Sequence, residues 1–416
     1  MHGGFHIDLK RVNPGRPPVL LLGGLNLVRA LGFAGIPAIV ATSDDHDPAL
    51  DSLFCSGRLR LPPIGEKNGG LALGALLEAG ALLARVCGHP VPLFYGNDDH
   101  LALILAHRER VTRTFLLRLN DPPVAHALLD KVLFERFAQE RGLPVPRTLS
   151  WDELPLWEGP VIAKHRDKLG WETSAVHLDL LQRSKARVFP SGPAATAHPA
   201  AQALRESLTF QEFVPGDDRN LWSFHGYSDA NGRLLAWFVG RKIRTYPLGT
   251  GFSSYLELAH DDKAAAVGHE IAARVPLKGV FKIDLKQDSR TGRFLVIEIN
   301  ARFNLWHHVA ARNGVNLPAI AYEYLLHGAR AGFNERAIAY RTRWRWLSFR
   351  LDARAARELV ARGELGWARW LGSLLGARKV YDLFSWTDPL PFVCAFARKL
   401  GGFARRRMRQ WLAMAS

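Results

Sequence analysis

The 416-residue sequence predicts a mixed α/β and α+β protein in three parts. These are an open parallel α/β domain over 1–120, an α+β block over 121–330 and a basic, tryptophan-rich helical extension over 331–416. Three observations predict this division. Between Val19 and Thr42 an apolar run, a glycine turn, a helical stretch and a second apolar run follow one another, the order of a βαβ unit. From Leu208 onward, segments of alternating polar and apolar residues have the period of half-buried strands. Charge is also uneven. Residues 331–416 hold 17 Lys and Arg against 6 Asp and Glu, so 17 − 6 = +11 of the total +16 lies there.

Composition excludes several classes. Apolar residues at 48% and charged residues at 23% describe a chain able to bury a core, not a disordered one. Cys55, Cys87 and Cys394 have neither metal-ligand spacing nor an even count, which argues against a disulfide scaffold and a structural zinc site. The start, MHGGFHIDLKRVNPGRPP, lacks the basic-then-apolar order of a signal peptide. No uninterrupted apolar run reaches ~18 residues, so no spanning helix is expected and the chain reads as cytoplasmic.

Taken in order, VLLLGG (Val19 to Gly24) reads as a buried strand, Asn26 to Leu31 as helix and GIPAIVAT (Gly35 to Thr42) as a second strand. Gly23-Gly24-Leu25-Asn26 lacks the G-x-G-x-x-G spacing of a dinucleotide site. VPLFYG (Val91 to Gly96) is a further strand before the helical DHLALILAHRERV, and NDPPVAH (Asn120 to His126) marks a boundary. DKVLFERFAQERG is helical, with Gly142 and Pro144 as its stop. GPVIAKH is a short strand, and the Pro- and Ala-rich stretch from Arg183 to Ala201 reads as a loop. Strands follow over LTFQEFV, NLWSFHGY and LLAWFVGRKIRTY, then a helix over KAAAVGHEIAARV, then two strands joined by DSRTG.

Those last two strands carry the chemistry. In Phe281-Lys282-Ile283-Asp284-Leu285-Lys286 the alternation sets Asp284 opposite Ile283 and Leu285, and in Val296-Ile297-Glu298-Ile299-Asn300 it puts Glu298 and Asn300 on one face. Antiparallel pairing would bring the three together. Two carboxylates and an amide oxygen suit Mg²⁺ or Mn²⁺, hard cations that keep waters and phosphate oxygens as further ligands. Taken alone, the same alternation equally describes a hairpin with one wet face. Upstream, Lys131 opens a helix and Lys164 ends the VIAKH strand, where an ammonium can neutralise phosphate.

In this order the motifs resemble the ATP-grasp enzymes, over roughly residues 19–327, and most of all the carboxylate–amine ligases of the D-aspartate ligase-like group. The family pattern is an acidic residue on one strand, then Glu-x-Asn-x-Arg on the next. The resemblance implies two α+β lobes gripping ATP and an N-terminal domain that helps bind the carboxylate or amine substrate. It implies metal at Asp284, Glu298 and Asn300, and nucleotide at Lys131 and Lys164. In QEFVPGDD it implies adenine at Glu212, Phe213 and Val214 and ribose at Asp218. Arg302 matches the arginine expected near transferred phosphate. In GRKIRTYPLGTGFSSY, Arg241, Lys242 and Arg244 precede a Gly/Ser-rich loop. Strand alternation pairs Lys242 with Arg244 as catalytic cations, opposite Arg241. The implied reaction is ATP-dependent amide or peptide-like bond formation through an acyl phosphate, with a small carboxylate and an amine as substrates.

One departure stands out. The family's glycine- and serine-rich flap is replaced by HRDKLGWETS, where Arg166, Lys168 and Gly170 are the candidates for covering phosphate. The alternative function is therefore a nucleotide-binding regulatory or scaffold protein with a degenerate ATP-grasp site, tethered by its tail. His307 and His308 are adjacent and point apart, which argues against a shared metal. The tail, with six of the twelve tryptophans, reads as a helical cap on the body, as a contact for an anionic membrane at its inner face, or as a nucleic-acid contact, the least favoured of the three.

Overall fold

The computed structural model describes residues 5–6, 12–65, 68–166, 180–181, 186–328 and 339–401. They fall into two units, one within 1–117, 304–308 and 380–416, the other within 118–303 and 309–379.

The first unit is built on six strands, β1 (Phe5–His6), β2 (Val19–Leu22), β3 (Ala38–Thr42), β4 (Cys55–Arg60), β5 (Val91–Tyr95) and β6 (Phe115–Leu116), in the order β1-β4-β3-β2-β5-β6. All pairs are parallel except β1 with β4. β2 is central, with Leu20 facing Ile39 on one side and Leu93 on the other. All four of its residues are buried, which is why the sequence there is a continuous apolar run.

The helix Gly69–Cys87 has a mean hydropathy of 1.6 over a span long enough, by length and composition, to cross a membrane. Ala72, Leu73, Leu76, Ala79, Gly80 and Leu83 nevertheless form one buried stripe, and Gly80 lies directly against the Phe115 ring. It is a core helix. The helical stretch after β5 is two helices, Asp98–Ala106 and Arg108–Thr114, broken at His107.

The second unit holds two antiparallel sheets. The smaller is made of β7 (Thr148–Leu149), β8 (Val161–His165), β9 (Ala186–Phe189) and β10 (Leu208–Glu212), in the order β7-β10-β8-β9. Its core is Leu149, Val161, Ala163, Phe189 and Phe210, with Trp151 and Trp157 packed against it. The expected loop from Arg183 to Ala201 thus contains β9 and two short helices, Gly192–Thr196 and Pro199–Ala203, capped by Ser191 and His198. Small residues read there as irregular chain because they let the helical turns come close. A Cβ on Gly192 would lie 1.8 Å from the Leu154 carbonyl oxygen.

The larger sheet takes in β11 (Leu221–Ser228), β12 (Leu234–Tyr246), β13 (Phe252–Leu258), β14 (Gly279–Gln287), β15 (Phe294–Asn300), β16 (Trp344–Leu347) and β17 (Arg378–Tyr381), in the order β15-β14-β11-β12-β13-β16-β17. The Gly/Ser-rich segment expected as a loop is largely β13. Gly279 opens β14 with φ +75°, and a Cβ there would meet the Arg118 carbonyl oxygen at 2.5 Å, so only glycine fits. Beside it Asn120 Oδ1 accepts from the Lys278 N–H at 2.7 Å, and Asp121 pairs with the Lys278 ammonium. The Asn-Asp boundary segment therefore fixes where β14 begins.

The separate extension expected over 331–416 does not form. Its first part enters the second unit, where β16 pairs with β13 and the helix Phe349–Ala361 presents Asp352. Asp352, wholly buried, accepts a bidentate pair from Arg244 at 2.8 and 2.9 Å, the Trp370 indole N–H at 2.8 Å and the Ser254 hydroxyl at 3.2 Å. Its last part enters the first unit, where buried Asp388 accepts from Arg29 at 2.9 Å, the Ser52 hydroxyl at 2.8 Å and the Leu53 N–H at 2.8 Å. Net charge concealed this, because single buried aspartates anchor a segment whose composition is otherwise basic.

Candidate active site

The site is assembled on one face of the larger sheet. β14 and β15 pair so that Asp284 lies directly opposite Glu298, and Lys282 opposite Asn300. Cross-strand partners share a face, so the three predicted metal residues come together as the hairpin reading requires. Asp284 is well held. Its Oδ1 accepts from the Ser223 hydroxyl at 3.0 Å, and its Oδ2 from Asn300 Nδ2 at 3.1 Å and the Lys282 ammonium at 2.8 Å. Arg302 Nη2 donates to Asn300 Oδ1 at 3.4 Å, which brings the arginine to the same cluster.

Among the described residues no group of three or more His, Cys, Asp or Glu side chains is arranged to hold a metal. The donor set is two carboxylates and an amide, and it fits only a hard cation that completes its shell with water and phosphate oxygens. His308 packs against the Phe33 ring at 5.4 Å, an apolar contact.

The two lysines converge on β8. The Lys131 ammonium donates to the His165 carbonyl at 2.5 Å, while Asp130 caps the helix behind it through the N–H groups of Val132 and Leu133. Lys164 donates to Gln211 Oε1 at 2.9 Å. Burial lowers its ammonium to about 8, and the nearby negative charge of Glu298 opposes that shift. Lys164 is thus within electrostatic reach of Glu298.

The hinge after β10 is partly spent on its own structure. Glu212 Oε1 accepts from the Arg147 N–H at 3.0 Å, and the Phe213 N–H donates to the Pro160 carbonyl at 3.0 Å. Val214 is buried. Asp218, expected at ribose, is engaged within the protein. Its carboxylate already accepts from the Thr245 N–H at 2.7 Å and the Thr245 hydroxyl at 2.9 and 3.0 Å, clamping the end of β12.

The cations of β12 also divide differently from expectation. The β12–β13 register shifts between Lys242 and Arg244, a bulge at Ile243 that reverses the alternation. Arg241 and Arg244 therefore share the face of Glu257 and Tyr255, where Arg241 pairs with Glu257 at 2.7 Å and Arg244 lies over the Tyr255 ring at 5.1 Å. Arg244 is buried against Asp352 and is a structural cation. Lys242 alone turns to the other face, the one that carries Asp284 and Glu298.

Sequence reasoning missed Lys286 and Lys282 on that face. Lys286 donates to the Gly216 and Asp217 carbonyls at 2.7 and 2.9 Å, pinning the turn after the hinge. Burial lowers it to about 8, and the positive charge of Lys242 adds to the fall. The signal was present in the same alternation, since 282, 284 and 286 must face one way. Of the flap candidates, Arg166 donates to the Glu206 carbonyl at 3.3 Å, and Lys168 and Gly170 lie outside the described residues.

The first unit has a cavity of about 380 Å³ at the carboxyl ends of its parallel strands, lined by Gly23, Thr42, Asp47, Asn97, Asp99 and His100 among others. That is where open parallel sheets bind ligands. Burial raises the Asp47 carboxyl.

An antiparallel two-sheet unit with paired carboxylates on one sheet and two lysines at the other, in a chain that also holds a parallel-sheet unit, has the ATP-grasp fold. In sequence the chain is similar to D-aspartate ligase of Enterococcus faecium, 23% identical over 254 residues that cover 55% of this chain and 56% of that ligase. The chain thus spans about half the length of this relative. In structure it is similar to an L-amino acid ligase from Bacillus licheniformis (TM-score 0.55, 14% identity, 78% of this chain and 77% of that one). It is likewise similar to a carboxyaminoimidazole ribonucleotide synthase from Aspergillus clavatus complexed with ATP (TM-score 0.55, 12% identity, 80% and 81%). No family model matches the chain.

Proposed function

We propose that this protein is an ATP-dependent ligase that joins a small carboxylate to an amine. The observation that carries the reading is Asp284 set directly against Glu298 on β14 and β15, with the Lys164 ammonium in electrostatic reach of Glu298. In the reaction, a substrate carboxylate oxygen attacks the γ-phosphorus of ATP, the bond to the bridging oxygen breaks and ADP leaves. The amine nitrogen then attacks the acyl carbon, phosphate departs with the C–O electron pair, and the nitrogen gives its proton to solvent.

Lys131 and Lys164 bind and neutralise phosphate oxygens, and the backbone of the hinge at Glu212, Phe213 and Val214 lies along adenine. Lys242 and Arg302 hold charge that develops on the transferred group, by positioning and electrostatics rather than covalent help. Arg244 and Asp218 take no part beyond holding β12. Asp284, Glu298 and Asn300 are the residues that would hold Mg²⁺ or Mn²⁺, which when bound supplies charge neutralisation at the phosphates. The cavity of the first unit is the proposed seat of a substrate, and the cytoplasm is the proposed location. Membrane contact is a separate proposal, taken up below.

The test is ADP production with a panel of carboxylate and amine pairs, followed by product mass. ATP binding without ADP from any pair would support the regulatory alternative instead. A pH prediction also follows from Lys164. Free Lys164 loses its proton near pH 8, whereas a bound phosphate stabilises the protonated form. The nucleotide complex therefore holds more protons, and binding must weaken as pH rises. Above pH 8 affinity is expected to fall by up to roughly tenfold per pH unit until the bound form titrates. Equilibrium titrations at successive pH values check this, and Lys164→Arg, which keeps its charge, is expected to flatten the profile.

A further inference from the structure

The end of the chain carries a surface that the ligase reading does not use. After Asp388 anchors the segment, residues 390–401 form a helix of the first unit. Leu390, Val393, Phe396 and Leu400, spaced by three and four residues, are all exposed on one stripe, with Phe392 at its margin. Trp386, in the turn before the helix, is 88% exposed. The rings are nevertheless ordered on one another. Phe384 meets Trp386 edge-on at 4.8 Å and Phe392 at 5.5 Å, and Phe392 stacks on Phe396 at 6.3 Å. An aromatic row of this kind, propped outward, does not serve the core.

Charge indicates what covers it. From Pro389 to Ser416 the sequence has six Lys and Arg (Arg398, Lys399, Arg405, Arg406, Arg407 and Arg409) and no Asp or Glu. Only Arg398 is paired in the described part, with Asp51 at 2.5 Å on the inward side of the helix. That ion pair orients the helix so that its apolar stripe faces away from the unit. An outward apolar and aromatic stripe in a stretch of sequence that is basic and has no acidic residue complements a surface that is apolar beneath and negative above, which is an anionic lipid leaflet.

We propose that residues 384–401 dock this protein on an anionic membrane surface, with Trp386, Phe392 and Phe396 entering the headgroup region and Lys399 lying among the headgroups. This narrows the contact expected of the whole tail to its last part. Trp346 and Trp370 are buried in the second unit and cannot contribute.

The test is flotation of the full chain with phosphatidylcholine vesicles and with vesicles that also contain phosphatidylglycerol. Binding is expected only to the anionic vesicles, to weaken with salt, and to fall at least roughly tenfold in the triple variant Trp386→Ser, Phe392→Ser, Phe396→Ser. Trp386→Ser alone, at a side chain almost wholly in solvent, is expected to give a smaller loss and guards against misfolding of the triple variant. Absence of flotation, equal binding to neutral vesicles, or binding unchanged by both variants overturns the proposal. So does a sedimentation result in which the surface holds two copies of the chain together and the variants separate them. Flotation needs no turnover, so a failed ligase assay leaves its outcome readable.

Discussion

Glu298→Ala is expected to lower ATP-dependent ligation by at least ~100-fold, the scale seen when one preorganised electrostatic partner of a transferring group is removed. The physical argument is positional. Glu298 sits opposite Asp284 across β14 and β15 and within electrostatic reach of Lys164, so it links the proposed metal pair to a lysine proposed to bind phosphate. The loss is expected in turnover more than in nucleotide affinity, because Lys131 and Lys164 remain. Measuring ADP release beside equilibrium nucleotide binding separates the two. Retention of full turnover by this variant would falsify the metal assignment, whatever the substrates prove to be.

Asp352→Ala is expected to destabilise the second unit by ~3–5 kcal/mol, the usual cost of removing one member of a buried ion pair. Arg244 is 5% exposed and would keep its charge without the carboxylate that now accepts two of its N–H groups, while the Trp370 indole and the Ser254 hydroxyl would lose the same acceptor. Chemical denaturation followed by far-ultraviolet circular dichroism reads the effect. The paired change Arg244→Met with Asp352→Leu is expected to recover most of the loss, since it removes both charges together. If that double variant folds and still ligates, Arg244 is structural. If it folds and turnover collapses with affinity intact, Arg244 has a place in the chemistry after all.

The different fates of Lys242 and Arg244 mark where sequence reasoning runs out. Strict alternation pairs 242 with 244, and one extra residue at Ile243 undoes it. The bulge has no local sequence signature here, and Asp352, the partner that Arg244 meets, lies more than a hundred residues away. Asp218 is a similar case. Its position after the hinge suggested ribose, but Thr245 at the end of β12 takes the carboxylate. The β14–β15 hairpin was legible because strand period, a short turn and three oxygen-bearing side chains lie within a few residues of one another. The Lys131–Lys164 pair was legible only through the order of motifs along the chain, since Lys131 has no local reason to meet β8, the strand that carries Lys164.

What the sequence by itself determined is the period-dependent part: the buried βαβ start, the long strands Leu234–Tyr246 and Gly279–Gln287, and the shared face of Asp284, Glu298 and Asn300. Alternation and apolar runs are local properties, and the backbone converts them directly into faces. Only the tertiary structure decided that the basic extension is divided between the two units, that Arg244 belongs to a buried pair, and that an aromatic row stays outside. Those outcomes depend on which distant carboxylate meets which cation in a desolvated place, and neither charge count nor periodicity carries that information.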